Sequence, residues 1–138
     1  MKRIATFGVF DLVHVGHIRF LETCKKLHKN SELIVVISRD SVVLKEKGKK
    51  PSMPEEERRE IIASLRCVDE AILGNEGPDK LKIVEEIKQD LIILGYDQPW
   101  DEKNLEEQLK KRGLKIKVLR LKKYFDSNSS DIKARLKI

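Results

Sequence analysis

The chain has few cysteines and no long apolar run, and these absences exclude several classes of protein. Its two cysteines, Cys24 and Cys67, lack the CxxC or Cys/His spacing of a metal site, so we interpret them as reduced, partly buried thiols. Charged residues interrupt every apolar run before the roughly 20 residues that cross a bilayer. Asp11 and His14 follow the basic start too early for a signal peptide. We therefore expect a cytoplasmic protein without a membrane partner.

The chain also lacks a long block of charge of one sign. It carries 29 basic and 23 acidic residues, a formal charge of +6, with both signs interleaved. Only residues 45–50, KEKGKK, form a short basic segment. Nucleic acid is therefore not the expected partner, although the net charge keeps a nucleic-acid-binding module as an alternative. Charged residues make up 38% of the chain and are rich in lysine and glutamate, which is common in proteins from hot environments.

Apolar segments of strand length alternate with segments of helical character along the chain. The predicted strands cover residues 2–7, 32–38, 68–73, 91–94 and 115–121, and the predicted helices cover residues 16–27, 54–65, 78–88 and 101–112, followed by a last helix after Ser129 or Ser130. The pattern predicts one α/β domain over residues 1–138, a Rossmann-like, doubly wound, five-stranded parallel sheet. Ligands of such sheets bind outside the carboxyl ends of the strands, so the chemistry is expected in the segments that follow the strands.

The segment after the first predicted strand holds the residues best suited to phosphate chemistry. It reads GVFDLVHVGHIRF over residues 8–20, with Gly16 between His14 and His17 at a helix start. A glycine lets a phosphate approach the backbone, and a helix start offers N–H groups and the positive end of the helix dipole. Two imidazoles add donors beside this anion site. Residues 14–17 alone, HVGH, could equally be a fragment of a metal site or two histidines without a function. The preceding strand and the following amphipathic helix favour phosphate binding.

Here the sequence resembles the cytidylyltransferase-like nucleotidyltransferases, whose first strand ends in G-x-F-D-x-x-H-x-G-H. The matching residues are Gly8, Phe10, Asp11, His14, Gly16 and His17. Further along, the family's lysine-rich loop, its helical arginine, its arginine before the third strand and its serine run at the last helix resemble residues 45–50, Arg58 or Arg59, Arg66, and Ser127-Asn128-Ser129-Ser130. The resemblance implies that an acceptor phosphate oxygen attacks the α-phosphate of a nucleoside triphosphate and that pyrophosphate leaves.

The resemblance also implies roles for individual residues. The catalytic group would comprise His14, His17, Lys47 and Arg66. The nucleotide would contact Gly8, Phe10, Gly16, Asp97, Ser129 and Ser130 together with both histidines, and the acceptor would contact Asp11, Lys45, Arg58 and Tyr124. Mg²⁺ or another divalent ion would accompany ATP, with Asp11 as the candidate to orient it and no metal site built by the protein itself. The alternatives are a turn role for Asp11, a solvated turn for the lysine segment and simple helix capping for the serines.

Two features bear on the substrates. Of the seven aromatic residues, Tyr96, Trp100, Tyr124 and Phe125 follow the fourth and fifth predicted strands, where a flat ring could stack. Residues 95–98 read GYDQ, which resembles the archaeal FAD synthases of the same superfamily more than the G-D-D-W of glycerol-phosphate cytidylyltransferases. The resemblance implies transfer of AMP from ATP to FMN, which gives FAD and pyrophosphate. The alternatives are a CTP:glycerol-3-phosphate cytidylyltransferase and a non-catalytic nucleotide- or nucleic-acid-binding module.

The resemblance leaves two smaller expectations. Relatives in this family imply a homodimer. The family also carries an arginine shortly before its serine run, and Arg120 is the candidate for it in this chain.

Overall fold

The fold is a five-stranded parallel sheet with helices on both faces, in a computed structural model that describes residues 1–96 and 98–121. The strands are β1 (Lys2–Gly8), β2 (Ser31–Ile37), β3 (Glu70–Leu73), β4 (Leu91–Leu94) and β5 (Lys117–Arg120). The helices are α1 (Val15–Lys26), α2 (Asp40–Lys47), α3 (Glu55–Ala63), α4 (Lys82–Ile87) and α5 (Glu102–Lys111). The predicted α/β class and the parallel sheet of five strands are confirmed.

The strand order β3-β2-β1-β4-β5 creates a switch point at the centre of the sheet. The chain builds outward from β1 through β2 to β3, and then returns to the other side of β1 to place β4 and β5. Connections on the two sides of β1 run over opposite faces, so a crevice opens between the carboxyl ends of β1 and β4. The segments that follow these strands are therefore brought together at one edge of the sheet.

Alternate residues of the central strands enter two separate apolar cores. On one face, Leu33 and Val35 of β2 join a buried cluster with Ile62 of α3. On the other face, Ile34 and Val36 join a cluster with residues of α4 and α5. Because both faces of the sheet are buried, its central strands appear in the sequence as continuous apolar runs without alternation.

A lysine-rich loop was predicted at residues 45–50, but residues 45–47 belong to helix α2. It follows Arg39 and ends at Gly48, which has a φ of +78°. Val43 is the buried residue of this helix, so the apolar periodicity that marks a core-facing helix is missing from the sequence. The lysine-rich segment therefore divides into a helix end and a following loop, with Lys45 and Lys47 in the last turn of α2.

Other elements begin or end a few residues from their predicted positions. Helix α4 starts at Lys82 instead of residue 78. Asp79 accepts the N–H of Leu81 at 3.2 Å and so favours a turn at the start of the predicted helix. The strands β3 and β5 are shorter than predicted. The predicted last helix lies outside the described residues.

Both cysteines have the character that was predicted from their spacing in the sequence. Cys24 is buried, Cys67 is partly buried, and both are free thiols. Burial raises the pKa of each thiol, so the reactive thiolate form is disfavoured. None of the helices in the described part of the chain has the length and apolar character that a membrane span requires.

Candidate active site

A large cleft opens at the carboxyl edge of the sheet. Its volume is about 920 Å³, at the upper end of the roughly 300–1,000 Å³ found for small-molecule sites. Its walls come from the segments that follow β1, β2, β3 and β4, and its apolar floor includes Val36, Ile92 and Leu94. The switch point of the sheet therefore carries a site of the size that a nucleotide needs.

The turn between β1 and α1 is folded around the ring of Phe10. Phe10 and Leu12 have φ values of 52° and 51°, which are uncommon for residues with a side chain. The Phe10 side chain is buried against the core, and its ring centroid lies 5.7 Å from that of His17. A Cβ added to Gly8 would lie 2.6 Å from Cε2 of Phe10. Gly8 and Phe10 both line the cleft, but the space beside Gly8 holds this ring.

Replacing Gly8 by alanine is expected to lower the free energy of unfolding by about 1–3 kcal/mol, because the new methyl group forces the buried Phe10 ring to move. Gly74→Ala is the matched control: Gly74 directly follows β3, and its added Cβ would meet Val36 at an ordinary 3.5 Å. Urea unfolding of both variants measures the difference. Equal losses of unfolding free energy in Gly8→Ala and Gly74→Ala would show that the Phe10 ring does not exclude a side chain at position 8.

His14 and His17 cap helix α1 with their own side chains. His14 is the N-cap residue, and its Nδ1 accepts the N–H of Gly16 at 3.0 Å. Nδ1 of His17 accepts the N–H of His14 at 3.1 Å. The contacts form a reciprocal capping box in which imidazoles take the place of the usual hydroxyl and carboxylate. The ring centroids lie 4.1 Å apart, so the two histidines are held as one unit.

This capping determines which ring nitrogen carries the proton. A neutral imidazole donates through one nitrogen and accepts through the other. Since Nδ1 of His14 and Nδ1 of His17 both accept a backbone N–H, each neutral ring carries its proton on Nε2. Both rings line the cleft. An Nε2–H donor is the kind of group that stabilises negative charge on phosphate oxygens.

The capping also changes the anion site expected at the start of α1. The sequence predicts backbone N–H groups open to a phosphate at Gly16. In the structure, the N–H of Gly16 is donated to His14, and the N–H of His17 is donated to the carbonyl of His14 at 3.0 Å. Gly16 lines the cleft, but an anion there would meet imidazole donors before these backbone N–H groups.

Asp11 ties the β1–α1 turn to the segment that precedes α3. Its Oδ2 accepts the N–H of Ser52 at 2.7 Å, and its Oδ1 accepts the N–H of Met53 at 3.0 Å. These contacts correspond to the turn role that was the alternative for this residue. Asp11 also lines the cleft, and its contact with an acceptor stays a prediction.

Arg58 lies behind the cleft and joins its walls from the inside. Its side chain is 0% exposed and pairs with Asp40 at 2.7 Å. Nε donates to the carbonyl of Met53 at 2.9 Å, and Nη1 donates to the carbonyls of Val9 at 2.7 Å and Ser38 at 2.9 Å. The guanidinium thus connects the segments after β1 and β2 to the starts of α2 and α3. Arg58 does not line the cleft, and its predicted contact with the acceptor stays a prediction.

The basic residues of the lysine segment divide between the cleft and the outer surface. Lys47, Lys49 and Lys50 line the cleft, together with Arg39 at the start of α2. Lys45 is exposed and does not line it. The structure therefore brings the predicted catalytic Lys47 to the site and leaves the predicted acceptor ligand Lys45 outside it.

Arg66 lies at the edge of the sheet opposite the histidines, where the strands begin. It is an exposed residue in the connection from α3 to β3. In a parallel sheet such a connection enters the next strand at its amino end, whereas the cleft lies at the carboxyl ends. The structure therefore does not bring Arg66 to the cleft, and its catalytic role stays a prediction. The resemblance located it by sequence order, which does not say at which edge of the sheet a residue lies.

Gln98 is a cleft residue that the sequence reasoning did not assign. Its Nε2 donates to the carbonyl of Phe7 at 2.8 Å, and its Oε1 accepts the N–H of Gly95 at 2.8 Å. The amide therefore bridges the ends of β1 and β4 at the switch point. The only sequence signal for it was its place in the GYDQ segment, which we interpreted as a family resemblance and not as a contact.

Arg120 holds the loop that follows β4. Its Nη1 donates to the carbonyls of Gly95 and Gln98, each at 2.8 Å, and its Nη2 donates to the carbonyl of Trp100. Its Nε pairs with Glu102 at 2.7 Å. These contacts make Arg120 a residue that positions the wall of the cleft, and it does not itself line the cleft.

Comparison with known proteins decides the family. Residues 5–135 match the family described as Cytidylyltransferase-like. The chain belongs to the cytidylyltransferase-like family. The predicted resemblance is thereby confirmed.

The cytidylyltransferase-like relatives cover most of the chain. A curated protein named FAD synthase from Aciduliprofundum boonei is 50% identical over 128 residues, which are 93% of this chain and 83% of the relative. The FAD synthase of Thermoplasma volcanium is 44% identical over 138 residues, 100% of this chain and 94% of the relative. A solved structure from Thermoplasma volcanium GSS1, described as a lipopolysaccharide core biosynthesis protein, is similar with a TM-score of 0.83 and 46% identity, covering 91% of this chain and 99% of that one.

Several residues that the sequence analysis singled out lie outside the described residues. They are Asp97, Tyr124, Phe125, Ser129 and Ser130. Their contacts with nucleotide or acceptor stay predictions.

Two carboxylates among the described residues line the cleft, and both already have partners. Within residues 1–96 and 98–121, no three histidine, cysteine, aspartate or glutamate side chains converge on a common metal position. Both carboxylate oxygens of Asp11 accept backbone N–H groups, and Glu46 pairs with Lys80. Mg²⁺ keeps several waters and commonly binds substrate phosphates with only one or two carboxylates. A triphosphate could therefore bring the ion to a site that supplies few ligands of its own.

Proposed function

We propose that this chain is an FAD synthase, which transfers AMP from ATP to FMN and releases pyrophosphate. The observation that carries the proposal is the pair of imidazoles that cap α1 inside a cation-lined cleft. The choice of ATP and FMN as substrates rests on curated relatives named FAD synthase, two of which are 50% identical to this chain over most of its length.

The reaction needs charge stabilisation more than a base. The second pKa of a phosphate monoester is about 6, so the FMN phosphate is mostly a dianion near neutral pH. One of its oxygens forms a bond to the α-phosphorus of ATP, and the bond from that phosphorus to the bridging oxygen breaks. Pyrophosphate leaves with the electron pair. The enzyme must bring two anions together and stabilise negative charge on the oxygens around the reacting phosphorus.

The charges of the cleft suit this task. Among the described residues, the charged residues that line it are five cations and two carboxylates: Arg39, Lys47, Lys49, Lys50, Lys80, Asp11 and Glu46. Asp11 accepts backbone N–H groups, Glu46 pairs with Lys80, and Arg39 pairs with Glu55 and Glu76. The net field therefore favours a polyanion such as a triphosphate. We assign the reacting α-phosphate to the Nε2–H donors of His14 and His17, and the leaving phosphates to the lysines that follow α2.

The wall after β4 suits the flat ring of a substrate. Tyr96 is 47% exposed, and Trp100 packs against the apolar core while also lining the cleft. An isoalloxazine or an adenine can stack on such side chains. Mg²⁺ or another divalent ion would enter with the ATP phosphates, and a homodimer and a cytoplasmic location stay predictions of the sequence.

The direct test supplies the purified chain with Mg²⁺ and two substrate pairs. With ATP and FMN, we expect FAD and pyrophosphate to form in equal amounts, measured by chromatography of the flavin and by a coupled pyrophosphate assay. With CTP and glycerol-3-phosphate, we expect no pyrophosphate above background. Product from the second pair alone would replace FAD synthase by the cytidylyltransferase alternative, and no product from either would favour a binding module.

A further inference from the structure

Lys80 connects three segments around the cleft. Its ammonium pairs with Glu46 in the last turn of α2, and its Nζ lies 5.9 Å from the ring centroid of Trp100. The three residues come from segments that follow β2, β3 and β4, and all three line the cleft. The family motif assigns none of them.

The contacts of Lys80 are weak enough to be exchanged. The side chains of Lys80 and Glu46 are 51% and 42% exposed, and ion pairs at such exposure contribute little to stability. A cation–π contact at an exposed site is similarly weak. An ammonium in this setting can leave its partners when a ligand offers a stronger anion.

The backbone around Lys80 is held by other residues. Asp79 pairs with Arg112 at 2.5 Å, and its carbonyl accepts from Asn75 at 2.6 Å. The next residue, Leu81, is buried in the apolar core. The backbone position of Lys80 is therefore held by contacts other than its pair with Glu46.

We propose that Lys80 is a substrate-binding residue whose ammonium passes from Glu46 to a substrate phosphate. The ligand is a phosphate-bearing planar heteroaromatic compound, whose ring occupies the face of Trp100 that Lys80 covers in the free protein. This inference rests on the proposed function for its two candidate ligands, ATP and FMN. In this arrangement, the carboxylate of Glu46 competes with the substrate phosphate for the ammonium of Lys80.

The exchange predicts opposite effects for the two partners of one ion pair. Lys80→Met is expected to weaken binding of one substrate roughly 10-fold, since it removes a charged hydrogen-bond donor. Glu46→Gln is expected to tighten binding of the same substrate about 2-fold, because the competing carboxylate of an exposed pair is gone. A purely structural ion pair would instead make both substitutions act in the same direction, since either one breaks it.

Binding is measured without turnover, by titrating ATP alone and FMN alone against the emission of Trp100, the chain's one tryptophan. The substrate whose Kd responds identifies the ligand. Lys29→Met, at an exposed lysine in the turn after α1, is the control and should leave both Kd values unchanged. Lys80→Arg should retain binding, which separates the charge from packing.

The outcomes separate this proposal from the proposed function. Unchanged Kd values for both substrates in Lys80→Met, or weaker binding in Glu46→Gln, would overturn the role of Lys80 even if the chain makes FAD. Conversely, Kd values that shift in opposite directions in Lys80→Met and Glu46→Gln, in a chain that makes no FAD, would support the binding role of Lys80 and exclude the FAD synthase function.

Discussion

Replacing His17 by glutamine is expected to lower turnover at least about 100-fold, the lower end of the effect of removing one donor to developing charge. Glutamine is a natural residue at the third position of a capping box, so its side-chain oxygen can accept the N–H of His14 in place of Nδ1. The substitution therefore removes the imidazole from the cleft while the cap of α1 is kept. We expect the free energy of unfolding to stay within about 0.5 kcal/mol of wild type.

The measurement is the rate of pyrophosphate release at saturating ATP and FMN, with urea unfolding in parallel. His28, the remaining histidine, is exposed in the turn after α1, and His28→Gln should leave both quantities unchanged. His17→Ala should lose turnover and stability together, because it removes the ring and the cap. Near-normal turnover of His17→Gln would exclude this ring from the chemistry. A large loss of its stability would instead assign the defect to the helix start.

Replacing Arg58 by alanine is expected to lower the free energy of unfolding by about 3 kcal/mol or more, as when one partner of a buried pair is removed. The loss has two physical sources. Asp40 remains without its cation at 27% exposure, and the carbonyls of Val9, Ser38 and Met53 lose their shared donor. Urea unfolding measures this loss directly.

Arg59 provides a matched control for Arg58 on the same helix. It is 31% exposed and pairs with Glu56, so Arg59→Ala should change the free energy of unfolding by no more than about 0.5 kcal/mol. Arg58→Lys keeps the charge but loses the guanidinium geometry, and is expected to remain destabilised. If Arg58→Ala were as stable as wild type and instead raised the KM for FMN, the original acceptor role would be right.

The local features of the sequence predicted the fold well, whereas the details of the site followed from packing. The apolar runs predicted five strands because strands buried on both faces must be continuously apolar. The short helix α2 escaped prediction because it buries little of its surface. The histidine motif located the site, but its capping box could be seen only once the orientation of both rings was known.

By itself the sequence determined the α/β class, the family and the position of the phosphate chemistry after β1, because these depend on residue type and on spacing along the chain. Only the tertiary structure decided which cations face the cleft. Arg58 and Arg66 are equivalent as charges in a sequence, yet one is buried behind the cleft and the other is exposed at the opposite edge of the sheet. The contacts of Lys80, Gln98 and Arg120 could not be read from the sequence, because they join segments that meet only where parallel strands bring their carboxyl ends to one edge.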